Sequence, residues 1–401
     1  MVSKMISTRP LLITALAIAA ATHPAAHAAD PQATVASELH EFRIVTVVDA
    51  LDGPWSIAFL PGGDLLVTER PGRLRIVRDG ALDPEPVEGV PEVWYSGQGG
   101  LLEVAVHPAF ETNRLLYLSY SKPNAAGDEA TTAVARGRFD GQRLTDVEDI
   151  FVAAAWSNRG PHFGSKLAFD AAGHLFITVG DRGADPFIEP RSAHPSQDLT
   201  THHGTLIRLH DDGRVPADNP FVGREDALPE IWSYGHRNAQ GLVVDLETNE
   251  VWLTEHGPQG GDELNLAQAG RNYGWPVIGY GVQYGGRAIH EDTHRDGMEQ
   301  PVLHWTPSIG ASGLMLYTGD AFPQWRGQLF AGGLAGQQIA RIVLAEGNEG
   351  YQIRSLERPP LLSGWARIRE IRQGPDGFIY IATDDRRGGG TTPVVRLEPA
   401  G

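Results

Sequence analysis

Five polar, glycine-punctuated segments hold residue types that could transfer protons, bind anions or ligate a hard metal ion. Asn158-Arg159-Gly160-Pro161-His162-Phe163-Gly164 places an imidazole after a Gly-Pro turn at the start of an apolar strand. Imidazole titrates near neutrality and suits general-base work, although a lone histidine more often serves structure. Ser96-Gly97-Gln98-Gly99-Gly100 sets one amide among three glycines, whose conformational freedom lets the backbone aim it; a plain glycine loop fits equally well. In Tyr234-Gly235-His236-Arg237-Asn238-Ala239-Gln240-Gly241 the Arg237 guanidinium could fork onto a carboxylate or an oxyanion, the alternative being a structural salt bridge. The segment Thr254 to Asn265 (TEHGPQGGDELN) frees carbonyls at Gly257 and Pro258 and follows them with carboxylates. Those are hard oxygen ligands of the kind Ca²⁺ accepts, without the alternating spacing of an EF-hand; an acidic surface loop fits as well. Finally, Arg367 and Arg369 stand at i, i+2. On a strand they share one face and need an anion between them or a carboxylate nearby.

Strands must position these groups. One pattern returns six times, an apolar strand, a Gly/Asp/Asn turn and a second strand, from Ser56, Leu101, Lys166, Gly241, Leu314 and Glu370. The second strands begin near Leu65, Leu115, Leu175, Val251, Leu329 and Phe378. Helical periodicity is almost absent, and 48 Gly and 28 Pro recur too often for long helices. A sixfold repeat of this kind predicts an all-β fold, a six-bladed β-propeller of four-stranded antiparallel blades, rather than a sandwich. The 401 residues would suit two or three domains by length alone, yet a single all-β unit spanning 29–401 accommodates them. The longest intervals, Gly183 to Leu228 and Asn272 to Leu314, are read as loops that build a site on one face of the disc.

Composition narrows the function classes. With 33 Lys+Arg against 50 Asp+Glu the net charge is −17, which argues against nucleic acid or an anionic membrane as the main partner. The absence of cysteine removes thiolate catalysis, disulfides, Cys-zinc and iron–sulfur sites, and haem attachment through C-x-x-C-H. Lys4 and Arg9, the apolar run Leu11 to Ala21 and the small residues of Ala26-His27-Ala28 read as a signal peptide over 1–28. The run is too short for a membrane anchor, so the mature chain is expected in the periplasm or secreted, without membrane insertion.

Taken in order, GQGG at 97–100, HFGSKLAFD from His162, GHRNAQGL from Gly235, EHGPQGGDELN from Glu255, NYGWP from Asn272 and RIRE from Arg367 resemble the soluble quinoprotein sugar dehydrogenases. The resemblance runs from about Phe42 to Leu397 and points to the aldose sugar dehydrogenase branch of six-bladed propellers that use pyrroloquinoline quinone (PQQ) with Ca²⁺. It implies oxidation of an aldose at the anomeric carbon to the lactone, with electrons passed to an external acceptor, by a monomer or homodimer. His162 matches the family's general base and Gln98 the amide beside base and cofactor. Arg237 and Asn238 match donors around the reactive carbonyl, Arg367 and Arg369 the pair that holds the tricarboxylate, and Trp305 an aromatic flanking the cofactor plane. The Gly257 and Pro258 carbonyls match ligands of the quinone-side Ca²⁺, and Glu263 with Tyr273 a second, structural Ca²⁺ site.

Two departures stand out. Ala335 occupies a position where relatives often carry a basic residue against the cofactor; the alternatives are some loss of cofactor affinity or Arg341 serving instead. Pro161 precedes the base where a glucose-selective relative has a carboxylate, which favours a broad aldose range. Two other classes stay open at this level, a Ca²⁺-dependent propeller lactonase and a non-catalytic propeller that binds glycans or protein.

Overall fold

The computed structural model describes residues 34–290, 292–347, 350–385 and 391–400. The signal peptide read at 1–28 lies outside them. Six sheets form, each innermost strand packed against the next and the last against the first, so the blades close into a ring. The innermost strands are Pro54–Phe59, Leu101–Val106, Leu167–Phe169, Ala239–Val244, Ala311–Tyr317 and Arg367–Gln373. Their neighbours are Leu65–Glu69, Leu115–Pro123, Leu175–Val179, Val251–Glu255, Gln328–Gly333 and Ile379–Asp384, so the repeat read from the sequence marks the inner hairpin of every blade. These second strands are covered on both faces by adjacent blades, and for that reason LLVTE, LFITV and VWLTE are buried at every position.

A buried hydroxyl near the end of the second strand latches several blades to the next. Thr68 Oγ1 donates to Leu102 O at 2.5 Å, Ser119 Oγ to Ser165 O at 2.6 Å, Thr178 Oγ1 to Ala239 O at 3.0 Å and Thr254 Oγ1 to Ser312 O at 2.8 Å. In the fifth blade the hydroxyl comes from the innermost strand instead, where Ser312 Oγ donates to Ile368 O at 2.7 Å. Gly332 makes that possible, since a Cβ there would lie 2.7 Å from Ser312 Oγ. Thr178 also accepts from Lys166 N at 2.9 Å. Thr178→Val leaves both buried partners unpaired, so denaturant unfolding is expected to show a loss of about 1–3 kcal/mol; an unchanged midpoint would contradict the latch.

The six-bladed propeller of four-stranded antiparallel blades is as read, and the structure adds detail in two places. Five blades are four-stranded, but the sixth has five strands. The N-terminal strand Glu41–Asp52 pairs antiparallel with Thr391–Pro399, and Thr34–Ala36 adds to its outer edge. Segments distant in sequence thus meet in one sheet and close the ring. The two long intervals also contain Thr205–Leu209 and Leu303–Trp305, strands hidden from the hairpin pattern because long connections adjoin them. What remains are two segments tied to each other, with Gln197 Nε2 donating to Trp275 O at 2.8 Å and to Asn272 Oδ1 at 3.1 Å.

Candidate active site

A cavity of about 850 Å³ is lined by residues of several blades, among them Trp55, Gln98, Gly257, Pro258, Arg367 and Arg369. His162 does not itself line it but is tied to its wall through Gln98, whose Oε1 accepts from His162 N at 2.9 Å. Close approach of two loops makes that bond possible: a Cβ on Gly97 would lie 2.7 Å from Gly160 Cα, so only glycine lets the Gln98 loop reach the His162 loop. His162 sits in the left-handed region at φ 58°, a conformation that costs an L-residue about 1–3 kcal/mol and recurs at functional sites.

The imidazole is held from one side. Nδ1 of His162 and Oδ1 of Asp181 are 2.6 Å apart, and Trp275 Nε1 donates to the other Asp181 oxygen at 2.8 Å. With Nδ1–H on the carboxylate, Nε2 carries the lone pair, and it has no protein partner among the described residues. Burial, then the charge of Arg237, holds His162 below the ordinary histidine value despite the opposing pull of Asp181. Burial raises Asp181, but the His162 contact and Arg237 outweigh it and bring the carboxyl down to about 2. A neutral imidazole beside a fixed carboxylate is the arrangement a general base needs.

Arg237 lies with its guanidinium 5.2 Å from the centre of the Trp275 ring and donates through Nη1 to His256 O at 2.9 Å and Gly257 O at 3.0 Å. Its backbone is fixed from both ends, as N donates to Glu255 Oε2 at 2.7 Å and O accepts from Asp181 N at 2.8 Å. Asn238 accepts from Gly164 N at 3.0 Å through Oδ1, which secures the loop just past His162. Burial, with Arg369 and Arg237 adding to it, keeps His256 neutral far below its ordinary range.

Arg367 and Arg369 share one face of their strand, as the spacing predicts, and each Nη2 lies 3.2 Å from Asp384 Oδ2. The carboxylate nearby thus belongs to the protein. Trp305 stands apart from the cavity wall: its ring packs into the apolar layer between the fourth and fifth blades with Trp252 and Ile309. Ala335 does line the cavity, whereas Arg341 faces away, paired with Glu357 and, at 2.6 Å, with Glu38.

Below the cavity is a void of about 20 Å³, room for one ion or water, which shares Gly257 and Pro258 with it and is also lined by Glu255, Glu263 and Tyr273. Asn265 Nδ2 bridges the two carboxylates at 3.0 and 3.1 Å, while its buried Oδ1 has no partner. Burial and the neighbouring Glu255 push Glu263 up to about 8. The Tyr273 hydroxyl is engaged by Leu266 O and Gln268 N, so any metal contact of Tyr273 falls to its carbonyl. Among the described residues no three His, Asp or Glu side chains cluster as a metal site.

Sequence reasoning missed Asp181, Trp275, Asp384 and Arg70. Asp181 and Asp384 each sit at or just past the end of a second strand, in GDRG and ATDD, a position the repeat exposes. Nothing local marks Trp275, whose partner is 94 residues away.

The family model described as Glucose / Sorbosone dehydrogenase matches residues 51–392. The aldose sugar dehydrogenase YliI of Escherichia coli is 41% identical over 351 residues, 86% of this chain and 91% of that protein. The apo-form crystal structure of the soluble aldose sugar dehydrogenase from Escherichia coli superposes with a TM-score of 0.80 at 38% identity, covering 89% of this chain and 99% of that one. The PQQ-bound form of aldose sugar dehydrogenase from Streptomyces coelicolor gives 0.71 at 27% identity, over 90% and 99%. With a single family model spanning most of the ring, the chain belongs to the glucose/sorbosone dehydrogenase family.

Proposed function

We propose that this protein oxidises aldose sugars at the anomeric carbon to the lactone, with PQQ and Ca²⁺ as cofactors and an external acceptor taking the electrons. The observation that carries this reading is the line Trp275–Asp181–His162, fixed through Gln98 to a cavity that holds three guanidinium groups. The cavity fits a planar tricarboxylate: Arg70, Arg367 and Arg369 oppose Asp384 and Asp385, and Trp55 offers an aromatic face. Together with a tricarboxylate and one divalent cation, those formal charges cancel. The Gly257 and Pro258 carbonyls supply hard oxygens at the cavity wall, and the raised Glu263 beside Glu255 marks the void as a place where a cation would relieve repulsion.

Bound there, PQQ would accept the hydride of the anomeric carbon, with Ca²⁺ as Lewis acid on its carbonyl. The chain's own residues would do the rest. His162 Nε2 takes the hydroxyl proton of the sugar, and Asp181 keeps the proton on Nδ1 and stabilises the imidazolium that forms. Arg237 would supply fixed N–H groups where negative charge develops, and Asn238, whose Oδ1 accepts from Gly164 N, would add its amide N–H beside them. Pro161 in front of the base offers no carboxylate to sugar hydroxyls, which supports acceptance of several aldoses. The export signal read at 1–28 supports a site for this chemistry outside the cytoplasm.

Loading the purified protein with PQQ and Ca²⁺ should make an artificial dye lose colour on aldose addition, with lactone as product; lactone hydrolysis without dye reduction would favour a hydrolase. Metal also bears on stability. Chelator-treated protein should melt at lower temperature and recover with Ca²⁺, since an ion that binds only the native state stabilises it by mass action. Glu263→Gln should reduce that recovery while leaving activity in excess Ca²⁺. Identical melting with and without Ca²⁺ would remove the second metal site.

A further inference from the structure

Arg70 follows the second strand of the first blade and lines the cavity. Its Nη2 donates to Gly97 O at 2.5 Å and Gly99 O at 3.1 Å, so the loop that carries Gln98 hangs from this side chain. Those two bonds ask only for a donor. A full guanidinium charge is more than they require, and no carboxylate pairs with it directly among the described residues. The carboxylates nearest in sequence are taken: Asp52 pairs with Arg73 at 2.8 Å, and Glu69 with Arg73 at 2.6 Å and Arg75 at 3.5 Å. Asp384 is shared by Arg367 and Arg369. Among the described residues Arg70 has no carboxylate within ion-pair distance, and its Nε is buried without an acceptor. Burial and the like charge of Arg369 both disfavour the cation, and Tyr95, whose ring centre lies 5.4 Å from the guanidinium, Asp384 and Asp52 offset them only in part, since the Arg70 pKa stays below its ordinary value. Leaving a buried donor and its charge unmatched is costly unless something completes the site.

We propose that Arg70 is a third anion-binding residue of the cavity, gripping a carboxylate of the cofactor and supplying the cation that Ala335 does not. This rests on the PQQ reading above. Arg70 would then join cofactor recognition to the base, because the same guanidinium holds the loop whose Gln98 accepts from His162 N.

Calorimetric titration of PQQ in excess Ca²⁺ tests it on three proteins, wild type, Arg70→Gln and Arg70→Lys. Arg70→Gln keeps donors for the Gly97 and Gly99 carbonyls but loses the charge, and is expected to bind PQQ on the order of 10- to 100-fold more weakly, as loss of a charge-assisted contact implies. Arg70→Lys keeps the charge and is expected within about ten-fold of wild type, by the same principle. Apoprotein melting of both variants should stay close to wild type. Equal affinity of wild type and Arg70→Gln, an equal loss in both variants, or a loss accompanied by collapse of apoprotein melting in both, would overturn the assignment. If wild type itself fails to bind PQQ, the functional reading fails instead.

Discussion

His162→Ala lowers kcat by on the order of 10² to 10⁴, the range for loss of a positioned general base, while PQQ affinity stays near wild type. The split follows from the geometry: the imidazole Nε2 has no hydrogen-bond partner among the described residues, whereas Arg367 and Arg369, the arginines proposed to hold the carboxylates, line the cavity that His162 does not. The backbone N–H that reaches Gln98 survives the substitution. Asp181→Asn should cost nearly as much, because an amide in place of the carboxylate cannot both accept the Nδ1 proton and stabilise the imidazolium. The pH profile carries the sign. Burial and Arg237 lower the His162 pKa, so the acid limb of kcat should lie below the ordinary 6.5, with activity lost as pH falls through the lowered value. Arg237→Leu removes one of the three depressing influences, burial and Arg182 being the others, and should move that limb upward. A near-normal rate in loaded His162→Ala would take the residue out of the mechanism.

Substituting both Arg367 and Arg369 with alanine weakens PQQ binding by on the order of 10² to 10⁴, since each charge-assisted contact is worth about 1.5–3 kcal/mol. Asp384 sharpens the effect. In the wild type its carboxylate is neutralised by both arginines at 3.2 Å; in the double variant it is left uncompensated in the same cavity and repels an incoming anion. Adding Asp384→Asn to the double variant should therefore restore part of the affinity and any lost stability. Saturation of the double variant at the wild-type PQQ concentration would show that the cofactor lies elsewhere.

The inner hairpins were legible because a strand buried on both faces must be a short apolar run bounded by turn residues, and six such pairs leave little choice of fold. Ring closure was not, since the pairing of Phe42 with Pro399 joins opposite ends of the chain and leaves no local trace. At the site, residues inside glycine-rich motifs, Gln98, His162, Arg237 and the Arg367/Arg369 pair, were found because glycine and cation spacing are local signals. Asp181, Trp275 and Asp384 act across loops or strands and become visible only when partners distant in sequence meet. Trp305, assigned to the cofactor plane by the family resemblance alone, is half-buried against the apolar layer between the fourth and fifth blades and is not part of the cavity wall.

The central claim is that PQQ and Ca²⁺ together turn this propeller into an aldose-oxidising enzyme. Its most direct test is single-turnover oxidation of an aldose labelled with deuterium at the anomeric carbon, by protein loaded with PQQ, Ca²⁺ or both. The account predicts lactone in stoichiometric amount only when both are present, slower with the deuterated sugar because the anomeric C–H bond breaks, and suppressed in His162→Ala. Equal lactone yield without PQQ, or none with both cofactors bound, would contradict it.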